Sequence, residues 1–151
     1  MRRPAMASNR SDIMIQVLSA LAAIDGINYV SESISHWEEL DHGKFPALFP
    51  IDADEIKSPV VLFGGTDEDM RGLLTVIVTG MVYDAENATQ VKRLDLMQKI
   101  EKAMVTTSGL TSIIHSVMPT RVVTDKGALE NYSVWDQEFE IEYWYPNEDG
   151  G

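Results

Sequence analysis

From Ser133 to Tyr145 the chain reads SVWDQEFEIEYWY, with two faces of opposite character. Trp135, Phe139, Ile141, Tyr143 and Tyr145 occupy odd positions, while Asp136, Glu138, Glu140 and Glu142 occupy even ones. A period of two is that of a strand. One face suits a core, and the other carries four carboxylates spaced about 6.8 Å apart along one side.

The rest of the pattern predicts partners for that strand. Ser11 and Asp12 are cap residues for a helix whose stripe is Ile13, Met14, Val17, Leu18, Leu21 and Ile24, with Gly26 as its stop. Residues 27–34, INYVSESI, predict a short strand, and SHWEELDHGK after them is polar and irregular, with Trp37 tucked against the body. FPALFPI alternates Phe45, Ala47, Phe49 and Ile51 toward one side. Pro46 and Pro50 remove ladder donors, which assigns this strand to an edge or a bulge. DADEIKSP breaks the pattern, and a Gly64-Gly65 turn leads to an acidic tip at Asp67, Glu68 and Asp69, a candidate contact loop.

Residues 71–83, RGLLTVIVTGMVY, are the most apolar long run and predict a central strand, with Gly80 marking a bulge or a close backbone contact. Asn87 is a cap for a second helix running to about Thr106. Leu94, Met97, Ile100 and Met104 are assigned to its apolar face, and Lys92, Asp95, Lys99 and Lys102 to another. GLTSIIHSVM predicts a short helical turn with Leu110, Ile113 and Ile114 inward. PTRVVTDKGALENYSVWDQ predicts a hairpin whose loop holds Asp125, Lys126 and Gly127. The expected fold is α+β: a mainly antiparallel sheet with two main helices packed on one face and a C-terminal β-hairpin. Its expected organisation is a flexible tail over residues 1–10, one domain over 11–146 and a second tail over 147–151.

Composition narrows the function. With 151 residues, 44% of them hydrophobic, the chain can bury one ordinary core. A net charge of -12 argues against a surface built to neutralise nucleic-acid phosphates. Cysteine is absent, which excludes thiol chemistry and fits a cytosolic product. The arginines in MRRPAMASNRS superficially suggest a signal peptide, but Gln16 and Asp25 interrupt the apolar segment, and no run reaches the roughly 20 apolar residues of a membrane span. The expectation is therefore no membrane. The charge is uneven: residues 32–69 carry a net -8 and residues 126–149 a net -6, whereas Asp84 to Lys102 is neutral. Such polarity favours head-to-tail association of identical copies.

No arrangement points to catalysis, a cofactor or a metal. His36, Glu38, Glu39, Asp41 and His42 are ligand-type residues, but their spacing matches no zinc or calcium pattern. The Gly64-Gly65 turn lacks a following lysine and precedes carboxylates, which disfavours phosphate. His115 stands without a nucleophile constellation. An enzyme or small-ligand domain using His36, His42 or His115 is the rival class, and it requires a histidine within about 3 Å of a carboxylate or a metal. Arg93 lies on the apolar side of the second helix, where a guanidinium wants water past the sheet edge or a carboxylate. A carboxylate on a neighbouring subunit is its functional reading.

The order of these features resembles a known family. The amphipathic first helix, FPALFPI after a polar loop, LLTVIVTGMVY followed by DAENATQVKRLDLMQKIEKAM, then GLTSIIHSV and the terminal WDQEFEIEYWY are similar to the tail terminator proteins of long-tailed, siphovirus-type bacteriophages, the minor tail protein U group. The likeness covers residues 12 to 145 and lies in order, spacing and the aromatic last strand. It implies a non-catalytic structural protein of the virion tail, assembled in the host cytoplasm. Such a protein forms a hexameric ring at the head-proximal end, caps the tail tube, stops its polymerisation and offers a head-joining surface. The implied partners are further copies of itself, the tail tube protein, the tape measure protein and a head-completion or connector protein, with DNA passing through unbound. Another ring-forming neck protein is the nearest alternative. On this reading Asp136, Glu138, Glu140 and Glu142 face the lumen or pair with Lys92, Arg93, Lys99 and Lys102 across a subunit interface, and Asp67, Glu68 and Asp69 form a tube or head contact.

Overall fold

The computed structural model describes residues 9–34, 37–60, 69–86, 89–106 and 114–146. Two helices, α1 (Asn9–Ala22) and α2 (Thr89–Thr106), accompany five strands: β1 (Tyr29–Val30), β2 (Ala47–Pro59), β3 (Asp69–Tyr83), β4 (Ile114–Thr124) and β5 (Tyr132–Pro146). The strands form one sheet in the order β1-β2-β3-β5-β4, antiparallel except for the short β1–β2 pairing. Both helices pack on the same sheet face, so the fold is the expected α+β arrangement with a C-terminal hairpin.

The odd face of β5 is core. Trp135, Phe139, Ile141, Tyr143 and Tyr145 are all buried beside Ile13, Val17 and Leu21 of α1 and Leu96, Ile100 and Met104 of α2. Gln137 joins them, its amide accepting from the Trp135 indole at 2.9 Å and donating to the Met97 carbonyl at 3.1 Å, so its burial leaves neither amide end without a partner. Central β3 makes room for the largest rings. Gly80 lies opposite Trp135 and Gly72 opposite Tyr143, and a Cβ on either glycine would stand 2.3 Å from a ring atom. Of the two readings for Gly80, close contact is the right one. Burial and the nearby Glu55 carboxylate push the Tyr145 hydroxyl pKa above its ordinary value.

Several expectations are corrected. Ser11 and Asp12 sit inside α1, which begins at Asn9. Strand β1 covers two residues only, because it pairs with no more of β2 than Ala47 and Leu48. The helical stripe of α2 uses Leu96, while Leu94 is 52% exposed. Strand β2 does not end at Ile51 but continues through DADEIKSP to Pro59, with a register shift between Asp52 and Glu55. That bulge has a physical logic: residues three apart in a regular strand point to opposite faces, and one extra residue returns both carboxylates to the helical face. There Arg10 of α1 binds Asp52, bonds to Glu55 at 3.2 Å and donates to the Ala53 carbonyl at 2.6 Å. Ile114 to Met118 is strand rather than a helical turn. A register shift between Ile114 and Ser116 places buried Ile114 and Val117 three residues apart, which imitates helical spacing. Leu110 and Ile113 lie outside the described residues.

Among the described residues, the second sheet face is covered at one end only. Phe45, Ala47, Phe49 and Met81 form a small separate core there, with Trp37, Leu40, Tyr83, Tyr132 and Val134 packed around it. The 37–45 segment crosses this end as two 3-10 turns, and Trp37 meets Tyr132 edge to face at 5.5 Å. Ile51, expected on the buried side with Phe45 and Phe49, lies past this cover and is 53% exposed.

Candidate interaction surface

Beyond the small core, the uncovered face is dominated by the even side of β5. Cross-strand register sets Asp136 beside Thr79, Glu138 beside Ile77, Glu140 beside Thr75 and Glu142 beside Leu73 on β3. On the other flank they meet Val123, Arg121, Met118 and Ser116 of β4. The four carboxylates therefore form a column down the middle of the face, bordered by apolar and hydroxyl side chains. All four are partly exposed.

The two ends of the column are held, and its middle is not. Asp136 accepts from the Thr79 hydroxyl at 2.6 Å. Glu142 lies 3.5 Å from Arg71 and 3.5 Å from His115, and accepts from the Trp144 indole at 3.2 Å. Glu138 and Glu140 have no hydrogen-bond or ion-pair partner for their side chains among the described residues, although Arg121 stands across from Glu138. Two like charges about 6.8 Å apart, open to solvent, repel each other and anything else negative that approaches.

The cations singled out in the sequence lie elsewhere. Helix α2 packs on the opposite sheet face, so Lys92, Lys99 and Lys102 are separated from the carboxylate column by the sheet itself. Lys92 pairs with Asp84 at 2.5 Å and Lys99 with Asp95 at 3.2 Å, both within the subunit, while Lys102 is exposed. Arg93 points in toward β5 and donates to the Ser133 hydroxyl at 3.3 Å. Asp67 and Glu68 lie outside the described residues, as does the side chain of Asp69, the first residue of β3.

The gathering of Arg71, His115 and Trp144 around Glu142 escaped the sequence reading, because register alone brings them together. His115 stacks on Trp144 with ring centres 4.8 Å apart, and His42 stacks on Tyr83 at 3.7 Å. His115 stands 3.5 Å from Glu142, just beyond a direct contact of about 3.2 Å, and His36 lies outside the described residues. No group of three or more metal-ligating side chains converges among the described residues. No described helix is long and apolar enough to cross a membrane. Comparison with protein-family models and with curated proteins finds no match.

Proposed function

We propose that this chain is a phage tail terminator, a ring-forming structural protein that caps the tail tube, ends its polymerisation and presents the head-joining surface. The observation that carries the reading is the column Asp136, Glu138, Glu140 and Glu142 on the uncovered sheet face, whose two central carboxylates have no partner among the described residues. Copies arranged head to tail with this face inward line a channel with repeated carboxylates. Such a wall repels DNA phosphates over roughly the 8–10 Å screening length of physiological salt, so DNA passes without being held.

The sheet edges suit head-to-tail contact. Strand β1 covers only the start of β2, and the outer edge of β4 has no strand partner among the described residues, which leaves two different edges at opposite sides of one sheet. Unlike edges generate heterologous contacts, and heterologous contacts close into rings when the rotation permits. Pairing of the carboxylate column with the next copy's lysines is the less favourable use, since those lysines sit behind the sheet and Lys92 and Lys99 already have partners. The remaining partners on this reading are the tail tube protein, the tape measure protein and a head-completion or connector protein, at the head-proximal end of the tail.

The test is native mass spectrometry and electron microscopy of the protein alone and mixed with tube protein. Hexameric rings, and tubes of arrested length bearing a terminal ring, are expected. A strict monomer that never caps tubes sinks the proposal.

A further inference from the structure

The first turns of α2 and the connection between β4 and β5 enclose a groove of about 670 Å³. Thr89 and Arg93 line it from the helix, and Thr124, Lys126, Tyr132 and Ser133 line it from the hairpin. Arg93 is the anomaly. Its guanidinium carries five N–H donors and keeps its charge at any physiological pH, yet the Ser133 hydroxyl is its only hydrogen-bond partner among the described residues. Its Nε is sealed from solvent with no acceptor among the described residues, so a ligand in the groove meets the terminal nitrogens. In a chain with 24 acidic side chains, this half-buried arginine thus has no carboxylate partner among the described residues. Glu130, the one carboxylate among the described lining residues, makes no ion pair with Arg93 or Lys126.

The groove is built rather than incidental. Asp125 accepts from the Gly127 amide at 3.0 Å and from the Val134 amide at 3.3 Å, which pins the rim against the start of β5. Lys126 and Gly127 adopt left-handed φ values of 56° and 79°, and Lys126 lines the same groove as Arg93. Two cations, one from α2 and one from the hairpin turn, therefore line one polar recess. Planar guanidinium and carboxylate groups match in a two-bond geometry, so a carboxylate is the anion best fitted to it.

We propose that the groove is a carboxylate socket that takes an acidic side chain of a neighbouring copy of this chain. The inference rests on the ring reading and adds the contact that joins copies. Charge complementarity selects the occupant: each copy carries twice as many acids as bases, and the socket concentrates two of the few cations. Position agrees, because Thr124 at the end of the edge strand β4 also lines the groove, so a copy meeting that edge reaches its mouth.

The experiment compares wild type, Arg93→Gln, Arg93→Glu and the off-groove control Gln98→Glu, at an exposed position of α2, by native mass spectrometry, with near-ultraviolet circular dichroism to verify folding. At least a tenfold loss of assembly is expected for Arg93→Gln, a larger loss for Arg93→Glu and none for the control. Carbodiimide cross-linking of mixed light and heavy-isotope wild-type copies gives a readout that needs no variant, and Lys126 is expected to join an acid of the other copy. Lys126 cross-links confined to its own chain, or rings that persist in Arg93→Glu, overturn the socket and leave the ring standing. Succinate that protects the groove amides from hydrogen exchange without weakening assembly overturns it too, by identifying a free dicarboxylate as the ligand. A wild type that never assembles overturns both readings together.

Discussion

At the scale of single residues, the two glycines of β3 explain how one strand carries both a tryptophan and a tyrosine into a thin core. The ring of Trp135 lies over Gly80 and that of Tyr143 over Gly72, so the absent side chains are space that the rings occupy. Alanine at Gly80 forces its methyl into the indole, and overpacking of this kind costs about 1–3 kcal/mol. For a chain of this length, each kcal/mol lowers the melting temperature by about 2–4 °C. Gly43, with open space around its Cβ position, is the matched control, and Gly43→Ala is expected to leave the melting temperature unchanged within about 1 °C. Equal melting of the two variants in calorimetry contradicts this account of Gly80. The sequence displays both glycines, but register decides that they face rings.

At the scale of elements, α2 shows how a stripe is misread at one position. Leu94 and Leu96 both follow a polar start, and projection alone assigned Leu94 to the core. The helix instead buries Thr89, Leu96, Ile100 and Met104, with Arg93 and Met97 beside them. Packing against β5 chose this rotation, since Gln137 bonds to the Met97 carbonyl and Ser133 to Arg93. Truncation separates the two leucines: Leu96→Ala is expected to cost about 2–5 kcal/mol, and Leu94→Ala less than about 0.5 kcal/mol. Urea unfolding of both variants measures it, and a large loss at Leu94 contradicts the observed rotation. Strand β2 carries the same lesson, because DADEIKSP reads as a break until Arg10, far away in sequence, holds its bulge together.

At the scale of the whole molecule, charge is segregated by the sheet: carboxylates crowd the uncovered face, and the exposed lysines of α2 lie behind it. An isolated subunit bears this arrangement at some cost. Two carboxylates about 7 Å apart repel by of order 1 kcal/mol near a protein surface, less in salt. The double variant Glu138→Gln, Glu140→Gln is therefore expected to be more stable than wild type by about 1 kcal/mol at low ionic strength. Most of that gain is expected to vanish in 0.5 M salt, roughly where screening reaches within the spacing of the pair. Denaturant midpoints at both salt concentrations measure it, and a salt-independent gain points to packing instead of repulsion. On the proposed function, the same variant loses the negative wall that keeps DNA unbound.

The sequence by itself determined the α+β class, the central strand, the two amphipathic helices, the closing hairpin and the division of β5 into an aromatic and an acidic face. These follow from local periodicity, which depends only on residues adjacent along the chain. Tertiary structure alone decided the bulges of β2 and β4, the rotation of α2, the partial cover over the second sheet face and the gathering of Arg71, His115 and Trp144 around Glu142. Each depends on which residues stand opposite one another across strands or on a side chain reaching in from a distant element, and no period within one segment encodes that. The Arg93 groove belongs to both: the sequence marked the arginine as misplaced, and the fold supplied the hairpin that makes it a socket.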